Sequence, residues 1–160
     1  SSLSEHIFKR AVVVENRFRN FPLAWHSDDM AVIDFSESNN IYSINSSFVS
    51  VRVSEISLTG DEQFMKVKNE ATFQFCDVLF NEFAASFSKN QKKIILKKLE
   101  MAYFNIPSFN NYLVISSYYC NSIGLVDGFK FQFRLFKVFI IHVLVKLQLF
   151  NWIQKLILNK

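Results

Sequence analysis

The sequence contains few of the residues that build common functional motifs, with 3 glycines, 2 prolines and 2 cysteines among 160 residues. Three glycines are too few for a typical phosphate-binding loop, and neither GxGxxG nor GxxxxGKS/T occurs. The GxSxG and HExxH motifs of hydrolases are missing as well. We therefore predict no catalytic residue, no metal and no cofactor, and we favour a protein that is not an enzyme.

The 2 cysteines, Cys76 and Cys120, lie far apart in the sequence. They match neither the spacing of a disulfide-rich framework nor that of a paired metal site. We expect two free thiols, which is typical of an intracellular, reducing compartment.

Hydrophobic residues make up 50% of the chain and charged residues 20%, which excludes a disordered polypeptide. The length fits one compact domain, and we predict a single domain over residues 1–160. Phenylalanine shows the largest excess, with 19 copies. Because Phe, Ile, Asn and Lys have AT-rich codons, this aromatic-rich composition also favours an AT-rich genome, that of a mitochondrion-like organelle, an endosymbiont or an AT-rich protist.

Positive charge is concentrated towards the C-terminus, although the net charge is only +4. Up to Asn105 the chain has 12 Lys+Arg and 13 Asp+Glu, whereas beyond it Asp127 is the only acid. The candidate interaction residues include two groups of cations, Lys92, Lys93, Lys97 and Lys98, and then Lys130, Arg134, Lys137 and Lys146. Solvation of a helix face is the simplest explanation of such charge runs, and contact with RNA phosphates is the functional alternative.

The hydrophobic pattern predicts an α+β fold that begins with a short helix and an antiparallel β-meander. Ser2 and Glu5 have capping-box spacing, which favours a first helix to about residue 18. From residue 21 to 58, short β-prone runs such as "MAVIDF" and "FVSVRVSEISL" alternate with turn-forming Ser and Asn.

Two central helices should follow the meander. Thr59 and Glu62 form a second capping box, followed by about 25 residues without Gly or Pro. Ser88 and Gln91 form a third box. The helix after it should end before Pro107.

In the predicted helix after Ser88, Lys92, Lys93, Lys97 and Lys98 lie opposite the apolar side chains at helical spacing, which are Ile94, Ile95 and Leu99. The four lysines should therefore form an exposed face, with the three apolar side chains directed into the core.

Further strands are predicted in "YLVISSYY" and "FKFQFRL", with Gly124 and Gly128 bracketing a turn between them. A long apolar C-terminal helix should then occupy residues 136 to 158, with Phe150 and Trp152 among the candidate interaction residues. Lys146 near the middle of the apolar run makes a membrane span unfavourable. The apolar side of this helix must be covered by the rest of the domain, by a partner protein or by a membrane surface.

The best polar cluster for chemistry is "HSDDMAVID", which contains His26, Asp28, Asp29 and Asp34. These side chains would form a metal or acid/base site if neighbouring strands brought them together. A polar turn between strands is the simpler explanation, and we predict that no transition metal binds there.

These observations favour a non-enzymatic structural or accessory subunit of a larger, organellar and membrane-associated protein assembly. Its partners would be other protein subunits, and after them a membrane surface. One alternative is an RNA-associated protein of ribosomal type that uses its Lys and Arg side chains. The other is a small hydrolase or ligand-binding domain that uses the region of His26, Asp28 and Asp29. No small-molecule substrate is indicated.

Overall fold

A computed structural model describes residues 6–37, 39–44, 46, 48, 50, 61–123 and 125–146, without the side chains of residues 123 and 125–130. Within these ranges the chain is helical and has no β-strand, so the predicted α+β fold is wrong. The described α-helices are α1 (Arg10–Asn16), α2 (Ser27–Ser36), α3 (Met65–Phe83), α4 (Lys89–Asn105), α5 (Phe109–Ile123) and α6 (Leu125–Lys146). Short 3-10 turns lie at Pro22–Ala24, Glu62–Phe64 and Ala84–Ser86.

The chain forms two compact units, Ser1–Phe75 and Cys76–Lys160, and the boundary falls inside α3. The first unit contains an edge-to-face cluster of Phe8, Phe18 and Phe35, with ring centroids 5.0 to 6.1 Å apart. Phe21 is buried and meets Phe75 edge to face at 6.1 Å. Aromatic side chains therefore supply much of the apolar packing in this unit.

The second unit is built from the end of α3 and from α4, α5 and α6, with α5 packed against both α4 and α6. Its fully buried side chains include Leu96, Leu99, Ile115 and Leu135. The buried Tyr103 hydroxyl donates a hydrogen bond to the Leu135 carbonyl oxygen at 3.2 Å, which satisfies its polar group inside the core.

The predicted β-meander is replaced by α2 where the structure describes this region. Ser27, Met30 and Ala31 are buried at helical spacing, and Asp28 and Asp29 lie in the first turn, where carboxylates stabilise the helix dipole. A six-residue apolar run is too short for its period to distinguish a strand from a helix. Residues 39–44, 46, 48 and 50 form no strand, and residues 51–60 lie outside the described part.

The predicted strand over residues 112–119 is also wrong, because this segment belongs to α5. Ser108 caps the helix, and its hydroxyl oxygen accepts a hydrogen bond from the Asn111 amide at 3.1 Å. Ile115 and Tyr119, four residues apart, are both buried. Tertiary burial on a helical face here outweighs the modest strand preference of Tyr, Val and Ile.

The alternating run "FKFQFRL" lies inside α6, and the predicted strand is wrong here too. Phe131 and Leu135 are buried, whereas Phe133 is 77% exposed. These three side chains would share one face of a strand, but in a helix Phe133 lies about 160° from Leu135. Gly128 is part of α6 and does not form the predicted turn.

The predicted long apolar C-terminal helix is wrong as well. The helix described here begins at Leu125, well before residue 136, and it is amphipathic, with Arg134, Lys137 and Lys146 among its exposed residues. Residues 147–160 lie outside the described part, and with them Phe150 and Trp152. None of the helices described is long and apolar enough to cross a membrane.

The third capping box and the end of α4 are confirmed. Ser88 accepts from the Gln91 amide at 3.4 Å, and the Gln91 side chain accepts from the Ser88 amide at 2.8 Å. The helix ends at Asn105, two residues before Pro107. Ahead of α3, the Asp61 carboxylate caps the 3-10 turn by accepting from the Gln63 amide at 3.0 Å, whereas Thr59 lies outside the described residues.

Candidate functional sites

His26 is the centre of a hydrogen-bonded chain that links the start of α2 to α3. Its backbone has φ 71°, a left-handed conformation in which His is enriched among residues other than Gly. Its Nδ1 lies 2.7 Å from Asp29 Oδ2, and its Nε2 lies 3.0 Å from Thr72 Oγ1. The ring also stacks on Phe75, with centroids 4.7 Å apart. The two hydrogen bonds and the stacking on Phe75 therefore fix the position of the imidazole ring.

The Thr72 hydroxyl decides how protons are arranged in this chain. It lies 2.8 Å from the Lys68 carbonyl oxygen and donates to it. Since a hydroxyl has one proton, Thr72 then accepts from His26 Nε2, and a His26 that also donates to Asp29 is an imidazolium. A neutral ring would require the Thr72 hydroxyl to turn towards Nε2. A hydroxyl oxygen already bonded within its own helix is a poor nucleophile.

The remaining acids of the predicted cluster do not join His26 in a metal site. Asp34 forms a bidentate ion pair with Arg19, with both nitrogen–oxygen distances 2.8 Å. Asp28 and Asp29 lie in the first turn of α2, not in a turn between strands as predicted. Across the described residues, no group of three or more His, Cys, Asp or Glu side chains is placed to hold a metal ion.

The predicted cationic residues of α4 occupy different environments. Lys93, Lys97 and Lys98 are exposed, whereas Lys92 is half-buried. Ile94, which was predicted to face the core, is 69% exposed. The core side of α4 is formed instead by Leu96, Leu99, Glu100, Ala102 and Tyr103.

The cations of α6 are also spread over different surroundings. Arg134 pairs with Glu100, and its guanidinium lies 5.0 Å from the Phe131 ring centroid. Lys137 and Lys146 are exposed. The side chain of Lys130 lies outside the described part. The structure therefore gives Arg134 a packing role within the second unit.

Glu100 is a buried carboxylate, and the nearby positive charges offset only part of the cost of its burial. Burial raises the pKa of Glu100 above its ordinary value of 4.5, and the nearby Arg134 and Lys97 lower it by less. An ion pair at the edge of a core often shows this balance, because desolvation of the charges offsets much of their attraction.

Cys76, Tyr103 and Tyr118 have pKa values that burial raises above their ordinary values. Burial raises the pKa of the Cys76 thiol to about 12, which suppresses the nucleophilic thiolate. Burial likewise raises the pKa of Tyr103 to about 12. The Tyr118 hydroxyl donates to Asp77 at 2.5 Å, and burial together with this hydrogen bond raises its pKa. Groups that stay protonated at neutral pH are weak nucleophiles.

The outer side of α6 presents an apolar surface, which we call the α6 face. Its large exposed side chains are Phe133, Phe136, Ile140, Ile141 and Val145. Next to it, Phe109 of α5 is exposed and lies against Phe139 at 5.7 Å, and Tyr112 lies 5.7 Å from Phe136. The sequence pattern predicted a helix with an apolar side only from residue 136 and assigned Phe133 to a strand, so it did not indicate the full extent of this surface.

Comparisons with protein-family models, with curated proteins and with solved structures found no match for this chain.

Proposed function

We propose that this protein is a non-enzymatic accessory subunit of a larger assembly and that it docks on a partner protein through the α6 face. The observation that supports this proposal is the row of five large apolar side chains that α6 leaves exposed. Of the charged residues of α6 whose side chains are described, Lys137 and the exposed Arg134 lie on the same side of the helix. Contiguous apolar surfaces of this kind usually mark sites of interaction.

The composition of the α6 face favours a protein as its partner. Two of its five side chains are phenylalanines, and aromatic residues are enriched in the centres of protein interfaces, where charged residues are depleted. We further propose that the assembly is organellar and membrane-associated. The many aromatic residues and the many residues with AT-rich codons support this proposal. The pairing of Arg134 with Glu100 weakens the RNA alternative, because this cation already has a carboxylate partner.

The first experiment compares the isolated wild-type chain with the double variant Phe133→Ser, Ile141→Ser by sedimentation velocity without detergent. We expect the wild type to self-associate through its uncovered α6 face and the variant to sediment as a monomer. The control variant Ile7→Ser, Val14→Ser removes two apolar side chains of the other unit that are more exposed than Phe133 and Ile141 on average, and it should behave like the wild type. Circular dichroism checks that all three chains are equally helical.

The second experiment identifies the partner. The tagged wild type and both variants are purified from source cells, and the co-purified proteins are quantified by mass spectrometry. A specific subunit should be depleted at least tenfold with the α6 variant and retained with the control, because buried anchor residues dominate interface energies. The proposal would be refuted if the wild type is monomeric without detergent and if every co-purified protein is recovered equally with the wild type and the α6 variant.

A further inference from the structure

A second exposed surface lies on α4 and combines positive charge with apolar side chains. Six exposed residues of α4 form this surface, which we call the α4 face: Lys93, Ile94, Lys97, Lys98, Met101 and Phe104. Ile94 and Met101 are 69% and 59% exposed, and Phe104 is 41% exposed. On a helical projection these three lie opposite Leu99, with Lys97 among them and Lys93 and Lys98 at the two edges.

The helix α4 itself contributes no carboxylate to this face. The single acid of α4 is Glu100, which is buried and paired with Arg134. The surrounding unit is also basic, since Cys76–Lys160 contains 11 Lys+Arg and 4 Asp+Glu, a net charge of +7. The other unit contains 7 Lys+Arg and 10 Asp+Glu, a net charge of −3.

We propose that the α4 face binds the surface of an anionic lipid bilayer, with the helix lying in the plane of the headgroups. A basic amphipathic helix binds such a surface by inserting its apolar side chains while its cations contact lipid phosphates. Lysines at the edges of the apolar strip are well placed for this, because their long aliphatic stems can remain in the apolar zone while the ammonium groups reach the headgroups. The surface is separate from the α6 face, and the proposal does not depend on protein docking.

The apolar part of the α4 face favours lipid over nucleic acid. Single-stranded RNA would use the three lysines for phosphate contacts and would stack its bases on aromatic rings. Phe104 is the only aromatic side chain on this face, and exposed Ile94 and Met101 offer no stacking surface. A bilayer accounts for both the cations and the aliphatic side chains.

Co-sedimentation with vesicles tests the proposal. We expect the full chain to bind phosphatidylcholine vesicles that contain about 30% phosphatidylserine and to bind pure phosphatidylcholine much more weakly. Binding should weaken as NaCl is raised from about 0.1 to about 0.5 M. The variant K93Q/K97Q/K98Q should lower the partition coefficient about 100-fold on the mixed vesicles, because each basic residue at an anionic surface contributes about fivefold.

Two further variants separate charge from insertion. The variant I94S/M101S should lower the partition coefficient about tenfold and remove most of the binding that remains at high salt. The control K9Q/R10Q/K66Q loses the same charge from the other unit and should change binding much less. Thermal melts followed by circular dichroism should be nearly the same for every variant, since all the replaced side chains are exposed.

Three results would overturn the proposal. One is a triple lysine variant that binds the mixed vesicles as tightly as the wild type does. Another is a control variant that loses as much binding as the α4 variant. The third is a chain that binds a single-stranded RNA oligonucleotide more tightly than vesicles, with I94S/M101S leaving that binding unchanged. The variant Phe133→Ser, Ile141→Ser should retain vesicle binding, so failure of the lipid proposal is distinguishable from failure of protein docking.

Discussion

Glu100 is a carboxylate at the edge of the core, where α4 meets α6 beside Arg134. Burial raises its pKa in the folded protein above the ordinary value of 4.5. The folded state therefore binds this proton more tightly than the unfolded chain does. Its contribution to stability is greatest below pH 4.5 and declines as the pH rises through the folded-state pKa.

From this sign we predict that Glu100→Gln becomes more stable relative to the wild type as the pH rises from about 4 to about 7. Gln has no charge to desolvate, and Arg134 is 58% exposed and can be solvated by water. Urea unfolding at several pH values measures the difference, with the exposed Glu15→Gln as the control. A difference that is flat, or that falls with rising pH, would contradict the prediction.

The hydrogen-bonded chain of His26 gives a second prediction at the scale of single residues. Thr72→Val keeps the shape of the side chain but leaves His26 Nε2 without the Thr72 oxygen, and it should cost about 1–3 kcal/mol of stability. Thr72→Ser keeps the hydroxyl and should cost clearly less. Denaturant unfolding of both variants tests this difference. Equal losses would mean that the hydroxyl has no part in joining α2 to α3.

At the scale of elements, α6 has a buried side and an exposed side, and residues two positions apart can lie on opposite sides. Leu135→Ala should destabilise the protein by about 2–5 kcal/mol, because it opens a cavity in a fully buried site. Phe133→Ala should change stability by less than about 0.5 kcal/mol, because that ring is 77% exposed. Thermal or urea unfolding separates the two outcomes. Similar losses at both positions would favour a strand, in which the two side chains share a face.

At the scale of the whole molecule, the second unit depends on α6 for its core. Deletion of the chain after Gly128 removes Phe131 and Leu135, and it also removes the carbonyl oxygen that accepts from Tyr103. Each large buried side chain contributes about 1.5–3 kcal/mol, and a whole domain is stable by only about 5–15 kcal/mol. We therefore expect the truncated chain to aggregate or to melt without cooperativity.

The matched control for this deletion ends the chain after Lys146, which retains α6 as described, Leu125–Lys146. It should keep a cooperative thermal transition and the near-ultraviolet circular dichroism of packed aromatic side chains. A chain ending at Gly128 that melts as cooperatively as this control would show that α6 is an external docking element and not part of the core.

Local signals in the sequence were sufficient for the ends of α4. The reciprocal hydrogen bonds of Ser88 and Gln91 join residues that are three apart in the sequence. The ring of Pro107 disfavours a helical conformation of the residue before it, so the helix ends nearby. The uneven distribution of charge was equally visible, since counting residues requires no fold. Ser108, with Asn111 three residues later, was a helix-start signal in the sequence that the strand-like run after it concealed.

Burial decided the rest, and burial depends on residues that are distant in the sequence. "MAVIDF" is too short for its pattern to distinguish a strand from a helix, and "FKFQFRL" alternates as a strand would. Packing inside each unit placed both segments in helices. The α4 and α6 faces also depend on which side of each helix is buried. Phe131 and Phe133 are the same residue type two positions apart, yet one is buried and the other is exposed, because a helix turns about 200° between them. Sequence alone determined that apolar and basic residues are abundant near the C-terminus, and the tertiary structure determined which of them are left at the surface.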